Sequence, residues 1–161
     1  MRHYEQGFFR PSNPKKYVGD VNNIVYRSGW ERVAFKFCDQ EASIVAWSSE
    51  ELVIPYMSPV DGKAHRYFTD LRLWVRGADG KTKQFVIEIK PMDQVKKPRK
   101  TAKKKESTYL AECSTWFVNQ AKWTAAKEWC KKNNAEFLIW TEKQLFPEQQ
   151  TIKYKQPKKK A

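Results

Sequence analysis

Three charged residues in the middle of the chain have side chains that could act together on a substrate. Glu88 and Lys90 are two residues apart in an apolar run, so in a strand both side chains point to one face. The glycine-containing turn at 77–80 predicts a hairpin between this strand, at 83–90, and a strand at 66–76. That pairing would bring Asp70 to the same face. The sequence therefore predicts two carboxylates and one ammonium group close together.

The two carboxylates of this set indicate a divalent metal site. Asp70 and Glu88 at short range would repel each other and destabilise the fold unless a cation lies between them. Mg²⁺ binds one or two carboxylates together with waters and phosphate oxygens, and we expect Mn²⁺ to substitute. The ion would polarise a phosphoryl oxygen. Lys90 would orient the attacking water and stabilise the developing negative charge, so the set indicates phosphodiester hydrolysis.

Each of these residues also has a structural interpretation without catalysis. Asp70 could form a surface salt bridge with Arg72 or Lys90, although aspartate is disfavoured in a strand rich in apolar residues. Glu88 and Lys90 could be an ion pair on a solvated face, where such a pair contributes about 0 to 1 kcal/mol. The alternate face of this strand carries three apolar side chains that we expect to form core: Phe85, Ile87 and Ile89.

An acidic residue in the first turn of a predicted helix is a further site candidate. Apolar residues at helical spacing predict a helix over 28–39. Ser28 and Glu31 match the S-x-x-E capping box at its start. Glu31 could therefore support the metal site, or it could serve only to cap its own helix.

The remaining pattern predicts strands at 44–47, at 52–54 before Pro55, and at 135–141, with a helix over 112–132. We expect the residues 1–24 to form an irregular arm without a helix, held to the core by Phe8, Phe9 and Tyr17. The helix carries one apolar stripe of Phe117, Val118, Ala121, Ala125 and Trp129 and an opposite seam of Trp116, Trp123 and Cys130. A helix joining two strands predicts the α/β class with a mixed sheet.

Some polar residues are weaker candidates. Asn119, Gln120 and Lys122 on the second helix could contact phosphates or water beside the metal, or could be ordinary polar surface. His65 has no identifiable partner, so we expect a structural role for it.

The positive charge of the chain is concentrated in two runs. The 161 residues carry a net charge of +13, of which seven Lys and Arg lie in 96–105 and five in 153–161, with no acid in either run. Such runs repel themselves and resist packing, and both could grip the phosphates of nucleic acid or act only as solvated segments. The residues predicted to contact nucleic acid are Lys96, Lys97, Arg99, Lys100, Lys103, Lys104, Lys105 and Lys122.

Several classes of protein are excluded by what the sequence lacks. No apolar run approaches the roughly 20 residues of a membrane span, and the first residues lack the apolar region of a secretory signal. The three cysteines and two histidines form no zinc motif and predict no disulfide framework. No phosphate-binding or dinucleotide-binding glycine motif is present, so we expect no nucleotide cofactor.

An acid in an early helix, an Asp on a strand and Glu-x-Lys on its hairpin partner resemble the PD-(D/E)XK nuclease superfamily. Its elements here would be Glu31, Asp70 and Glu88-Ile89-Lys90, followed by a helix. Thr69 precedes Asp70 in place of the proline of the superfamily's name. This departure makes the motif less specific for the superfamily but does not alter the metal chemistry. The similarity extends over the segments WERVAFKFCD, YFTDLRLW, FVIEIKP and AKWTAAKEWC.

Within the superfamily the chain most resembles nucleases of contractile-tailed phages, in the transposase-like end-cleaving endonuclease branch. The resemblance implies a single-domain α/β restriction-endonuclease-like fold over 25–150, containing the basic loop 96–105 and followed by a basic tail at 151–161. It implies Mg²⁺ as cofactor and DNA as substrate. It also implies phage head, portal or neck proteins as partners, and the host cytoplasm or the virion as location. The expected role is trimming DNA late in head assembly so that head and tail can join.

Two other interpretations remain open. The protein could be a DNA-gripping plug at the portal that keeps a nuclease fold without catalysis. It could also be a junction-resolving or repair nuclease of the same superfamily.

Overall fold

The computed structural model describes residues 5–148, and the basic tail predicted at 151–161 lies outside them. Its strands and helices are, in chain order, β1 (Gly7–Phe8), β2 (Val25–Tyr26), α1 (Gly29–Gln40), β3 (Ile44–Ser48), β4 (Val53–Met57), β5 (Ala64–Phe68), β6 (Leu71–Arg76), β7 (Thr82–Ile89), α2 (Met92–Val95), α3 (Glu106–Lys132), β8 (Ala135–Trp140) and α4 (Glu142–Leu145). No helix in this part of the chain combines the length and apolar character needed to span a membrane.

A mixed sheet of four strands in the order β3–β6–β7–β8 positions the other elements. β6 pairs antiparallel with β3 and with β7, whereas β7 and β8 run parallel. Parallel neighbours need a long crossover connection, and α3 provides it between β7 and β8. The predicted single α/β domain with a mixed sheet flanked by helices is confirmed.

The central strand β7 is buried on both of its faces. Val86 and Ile87, which point to opposite faces, are each 0% exposed. Ile87 belongs to a core that includes Phe35 of α1, and a second core on the other side of the sheet contains residues of α3. Glu88 lies on the same face as Val86 and is buried, which rules out the interpretation of Glu88 as part of a solvated ion pair.

The strand predicted at 66–76 is in fact two strands. β5 pairs with β4 in a separate sheet, whereas β6 belongs to the central sheet. Between them, the backbone N–H of Thr69 donates to the carbonyl of Leu52 (3.1 Å), and the Thr69 hydroxyl donates to the same carbonyl (3.3 Å). Asp70 therefore lies at a break between two strands rather than inside one strand.

Pro55 lies in the middle of β4, opposite Arg66 of β5, so the prediction that Pro55 ends this strand was wrong. β4 and β5 form a sheet of only two strands. Each strand therefore has one side without a neighbour, and a proline is tolerated at such an edge because it has no N–H to donate.

Helix α3 begins at Glu106, earlier than the predicted start at 112. The stripe predicted through Phe117 is not its main buried face, because Phe117 is 53% exposed. The residues of α3 that are buried are Asn119, Trp123, Ala126 and Cys130. Both stripes are apolar, so periodicity alone does not show which of them the sheet covers.

The arm before α1 is held to the core largely as expected. Tyr17 is buried and Phe9 packs against the same core, but Phe8 is 67% exposed and does not anchor the arm. A short 3-10 turn at Pro14–Lys16 lies where no helix was expected.

Asp39 in the last turn of α1 fastens this arm. Its carboxylate accepts hydrogen bonds from the backbone N–H groups of Ser12 (2.8 Å) and Asn13 (2.9 Å). Asp39 is buried, with only 2% of its surface exposed. Hydrogen bonds to a charged group contribute more to stability than hydrogen bonds between neutral groups, so the Asp39 carboxylate stabilises the attachment of the arm to α1.

We expect Asp39→Ala to lower the free energy of unfolding by about 2 kcal/mol, because it removes two partly buried hydrogen bonds to a charged acceptor. Asp39→Asn keeps one acceptor oxygen and should lose less. Urea unfolding followed by tryptophan fluorescence measures both. The exposed Asp20, whose carboxylate accepts from Asn22 N–H (3.0 Å), provides the control substitution Asp20→Ala. Equal effects of Asp39→Ala and Asp20→Ala would contradict the assignment.

Candidate active site

Asp70 and Glu88 meet at the start of β6 and the end of β7. The register pairs Leu71 with Ile87, so the next positions outward along the two strands are Asp70 and Glu88. The Asp70 Oδ2 atom accepts a hydrogen bond from the backbone N–H of Ile89 (2.7 Å), which fastens the Asp70 carboxylate to the end of β7. The structure thus brings together the two carboxylates that the sequence singles out.

The carboxylate of Glu88 has a different partner on each oxygen. Oε1 lies 3.4 Å from Lys90 Nζ, and Oε2 accepts a hydrogen bond from the Tyr67 hydroxyl. Glu88 is only 6% exposed. Lys90 is held in place by its backbone N–H, which donates to the carbonyl of Trp140 in β8 (2.9 Å). A buried carboxylate needs such partners, since burial disfavours the charged form.

The environment of Asp70 disfavours a second negative charge. Burial and then repulsion from Glu88 raise the pKa of Asp70 well above its usual range, with a smaller contribution from Glu31. The Ile89 N–H and Lys90 act in the opposite direction, but they do not cancel these effects. The site therefore favours a bound cation, which would remove the repulsion.

Glu31 forms hydrogen bonds at the start of its helix and also interacts electrostatically with Glu88. As predicted, the Ser28 hydroxyl oxygen accepts from the Glu31 N–H (3.2 Å). The Glu31 Oε2 atom accepts from the N–H of Arg27 (2.7 Å), one residue before the expected partner. Burial raises the pKa of Glu31, and repulsion from Glu50 and Glu88 adds to this effect. Glu31 is therefore close enough to interact electrostatically with Glu88.

Two residues near the site were not predicted from the sequence. Tyr67 reaches Glu88 from β5, and nothing in the local pattern distinguishes it from its aromatic neighbour. Glu50, which interacts with Glu31, has a left-handed backbone (φ 55°) and forms an ion pair with Arg27 (3.1 Å). A positive φ is uncommon for a residue other than glycine, and no sequence signal revealed it here.

The weaker candidates lie in three different environments. His65 pairs with the exposed Asp61 (2.7 Å), which agrees with a structural role. Asn119 is buried in α3, and Gln120 is half-buried. Lys122 Nζ lies 5.7 Å from the ring centroid of Tyr67 and 5.8 Å from that of Tyr56.

The donor set fits a hydrated hard cation better than a fully protein-bound one. Within residues 5–148, no group of three or more His, Cys, Asp or Glu side chains is arranged to hold a metal ion. Asp70 and Glu88 alone would leave most coordination positions to water and substrate. This is the mode in which proteins bind Mg²⁺ with one or two carboxylates.

The basic loop 96–105 is folded, contrary to the expectation that its charges prevent packing. Lys100 Nζ donates to the carbonyls of Thr101 (3.2 Å) and Lys104 (2.6 Å). Lys104 Nζ donates to the carbonyl of Arg99 (2.8 Å) and to Glu112 Oε2 in α3 (2.7 Å). Two of the seven cations therefore organise the loop itself by satisfying its own backbone.

An open cleft of about 1580 Å³ lies between this loop, α2 and the first half of α3. Its walls include Lys96, Lys97 and Arg99, and it reaches Met92, two residues beyond Lys90. Asp70 and Glu88 are not among its lining residues. The cleft therefore lies beside the carboxylate pair and not over it.

The α/β fold and the carboxylate pair agree with an endonuclease of the PD-(D/E)XK kind. The family described as TnsA-like endonuclease N terminal matches residues 41–142, which contain Asp70, Glu88 and Lys90 but not Glu31. The match covers more than half of the chain, so the chain belongs to this family. The resemblance stated from the sequence is confirmed.

A particular relative is the head completion nuclease of Enterobacteria phage T4. It is 41% identical to this chain over an alignment 141 positions long, and this alignment covers 84% of this chain and 90% of the relative. The similarity therefore extends beyond the segment that the family match covers.

Asp70→Asn should stabilise the metal-free protein more at pH 8 than at pH 5. Because the folded state raises the pKa of Asp70, its ionised carboxylate lowers the free energy of unfolding. This cost is absent below the ordinary pKa, grows as the pH rises from the ordinary to the raised pKa, and is complete above the raised pKa. Asparagine is neutral and still accepts from the Ile89 N–H. Thermal unfolding in EDTA measures the effect, with Asp79→Asn in the exposed turn as the control. An equal midpoint for Asp70→Asn and wild type at pH 8 would contradict the electrostatic account.

Proposed function

We propose that this protein is a divalent-metal-dependent DNA nuclease that hydrolyses phosphodiester bonds. The observation that carries the proposal is the carboxylate pair of the half-buried Asp70 and the buried Glu88, with Lys90 Nζ 3.4 Å from Glu88 Oε1. All three residues lie within the segment that matches an endonuclease family, which supports this proposal.

Asp70 and Glu88 would hold Mg²⁺, and we expect Mn²⁺ to substitute. When bound, such an ion polarises a phosphoryl oxygen and promotes ionisation of water. Asp70 is oriented for this by the Ile89 N–H, and Lys90 lies beside Glu88. Sites built on the ends of strands are held more precisely than sites on loops.

Lys90 would act on the reacting groups directly. Its ammonium group is half-buried beside Glu88, so its charge is less screened than that of a surface lysine. It would orient the attacking water and stabilise the negative charge that develops on the phosphate. Glu31 would support the site through its negative charge, since its carboxylate interacts electrostatically with Glu88.

The exposed cations of the loop 96–105 would bind the DNA backbone. Lys100 and Lys104 are engaged within the loop, so their contribution would be to its shape. Lys122, half-buried against two tyrosine rings, would contact a phosphate nearer the site. In the described part of the chain, five loop side chains are exposed and have neither a hydrogen-bond nor an ion-pair partner: Lys96, Lys97, Arg99, Lys103 and Lys105.

The relative from phage T4 is named a head completion nuclease. We propose the same stage for this protein, at which it would trim packaged DNA so that head and tail can join. Phage head, portal or neck proteins would then be its partners.

Asp70→Ala and Lys90→Ala should each lower the rate of plasmid nicking by on the order of 100-fold, because Asp70 would hold the metal ion and Lys90 would stabilise charge on the reacting phosphate. Purified proteins are incubated with supercoiled DNA and Mg²⁺ or Mn²⁺, and nicked circles are measured over time. Lys83→Ala, at an exposed position of β7, provides the charge-matched control for Lys90→Ala. Equal nicking by wild type and both site variants would indicate contamination and would favour the non-catalytic plug.

Lys103→Ala should reduce the dependence of DNA affinity on salt. Each phosphate contact contributes about 0.9 to the slope of log K against log salt, so the slope should fall by roughly 1. Lys104→Ala removes the same charge, but Lys104 already pairs with Glu112 (2.7 Å), so its slope should change less. Fluorescence anisotropy with a labelled duplex in EDTA measures binding without cleavage. Slopes that are unchanged for Lys103→Ala would contradict phosphate binding by the loop.

A further inference from the structure

Tyr67 is a buried residue that connects the site to a different sheet. It lies in β5 and is only 4% exposed. Its ring packs in a core with Ile54 of β4 and with Trp123 and Ala126 of α3. This packing leaves the ring little freedom to move, so the position of its hydroxyl is set by the core.

The Tyr67 hydroxyl and Lys90 contact different oxygens of the Glu88 carboxylate. The hydroxyl donates to Oε2, whereas Lys90 Nζ lies beside Oε1. Rotation of the carboxylate plane away from this arrangement would break the hydrogen bond with Tyr67. The hydroxyl therefore keeps Oε2 occupied and leaves Oε1 on the side of Lys90.

Tyr67 remains a hydrogen-bond donor under ordinary conditions. Burial, followed by the charge of Glu88, raises the pKa of Tyr67 further above its already high usual value. Lys122 Nζ lies 5.7 Å from the centroid of the Tyr67 ring, and a cation near an aromatic face is attracted to it. Lys122 also lies 5.8 Å from the Tyr56 ring, so it connects α3 to both strands of the second sheet.

We propose that Tyr67 is a positioning residue for the metal site, acting through its hydrogen bond to Glu88. This inference rests on the proposed function, because it assigns to Glu88 the role of metal ligand. Hydrogen-bond partners of metal ligands orient them, and their removal lowers metal affinity by about 10- to 100-fold in other proteins. Tyr67 would act in this way without touching either the ion or the substrate.

Tyr67→Phe tests the inference because it removes only the hydroxyl and keeps the packed ring. We expect the affinity of the DNA-free protein for Mn²⁺, measured by isothermal titration calorimetry, to fall by roughly 10-fold or more. Tyr56→Phe is the matched control, since Tyr56 lies in the same sheet and near the same lysine. Its Mn²⁺ affinity should equal that of wild type.

A double-mutant comparison shows whether Tyr67 acts through Glu88. The loss caused by Tyr67→Phe should persist in an Asp70→Asn background and should vanish in a Glu88→Gln background. Equal Mn²⁺ affinity of Tyr67→Phe and wild type would overturn the inference while leaving the proposed function intact. Failure of the wild-type protein to bind Mn²⁺ would instead overturn the proposed function, and the inference with it.

Discussion

The concentration of negative charge where β6 meets β7 is the constraint on which the site depends. Asp70 and Glu88 face each other where burial limits screening by water, so their repulsion is stronger than at a surface. Three groups limit this cost from different directions: the Ile89 N–H, Lys90 and the Tyr67 hydroxyl. The remaining repulsion lowers the stability of the fold, and apolar burial on both faces of β7 offsets this loss.

The position of β7 in the sheet explains why this repulsion does not separate the two carboxylates. β7 pairs with β6 on one side and with β8 on the other, from Gln84 opposite Ala135 to Ile89 opposite Trp140. The pairing is extended by the bond from the Lys90 N–H to the Trp140 carbonyl (2.9 Å). The end of β7 therefore cannot move without loss of ladder hydrogen bonds. A cation or a proton is the remaining way to lower the electrostatic energy.

Much of the fold was predictable because its signals are local. The helix predicted at 28–39 and the strands at 83–90 and 135–141 differ from α1, β7 and β8 by only one or two residues at their ends. Capping, turn glycines and strand alternation all depend on neighbours in the chain. The predictions that were wrong concern features that depend on contacts between distant segments of the chain. The break before Asp70 and the proline inside β4 depend on which strands pair with which, and the buried stripe of α3 depends on what packs against it.

The sequence by itself determined the order of the elements and the placement of Glu88 and Lys90 on one face of a strand, since strand periodicity is a property of the local chain. It also determined which segment carries the excess of positive charge. Only the tertiary structure decided that the face with Glu88 is buried, that Tyr67 reaches it from another sheet, and that Lys104 turns inward to Glu112. These contacts join segments that are distant in the chain, and their energies depend on burial and distance, which no local pattern of residues specifies.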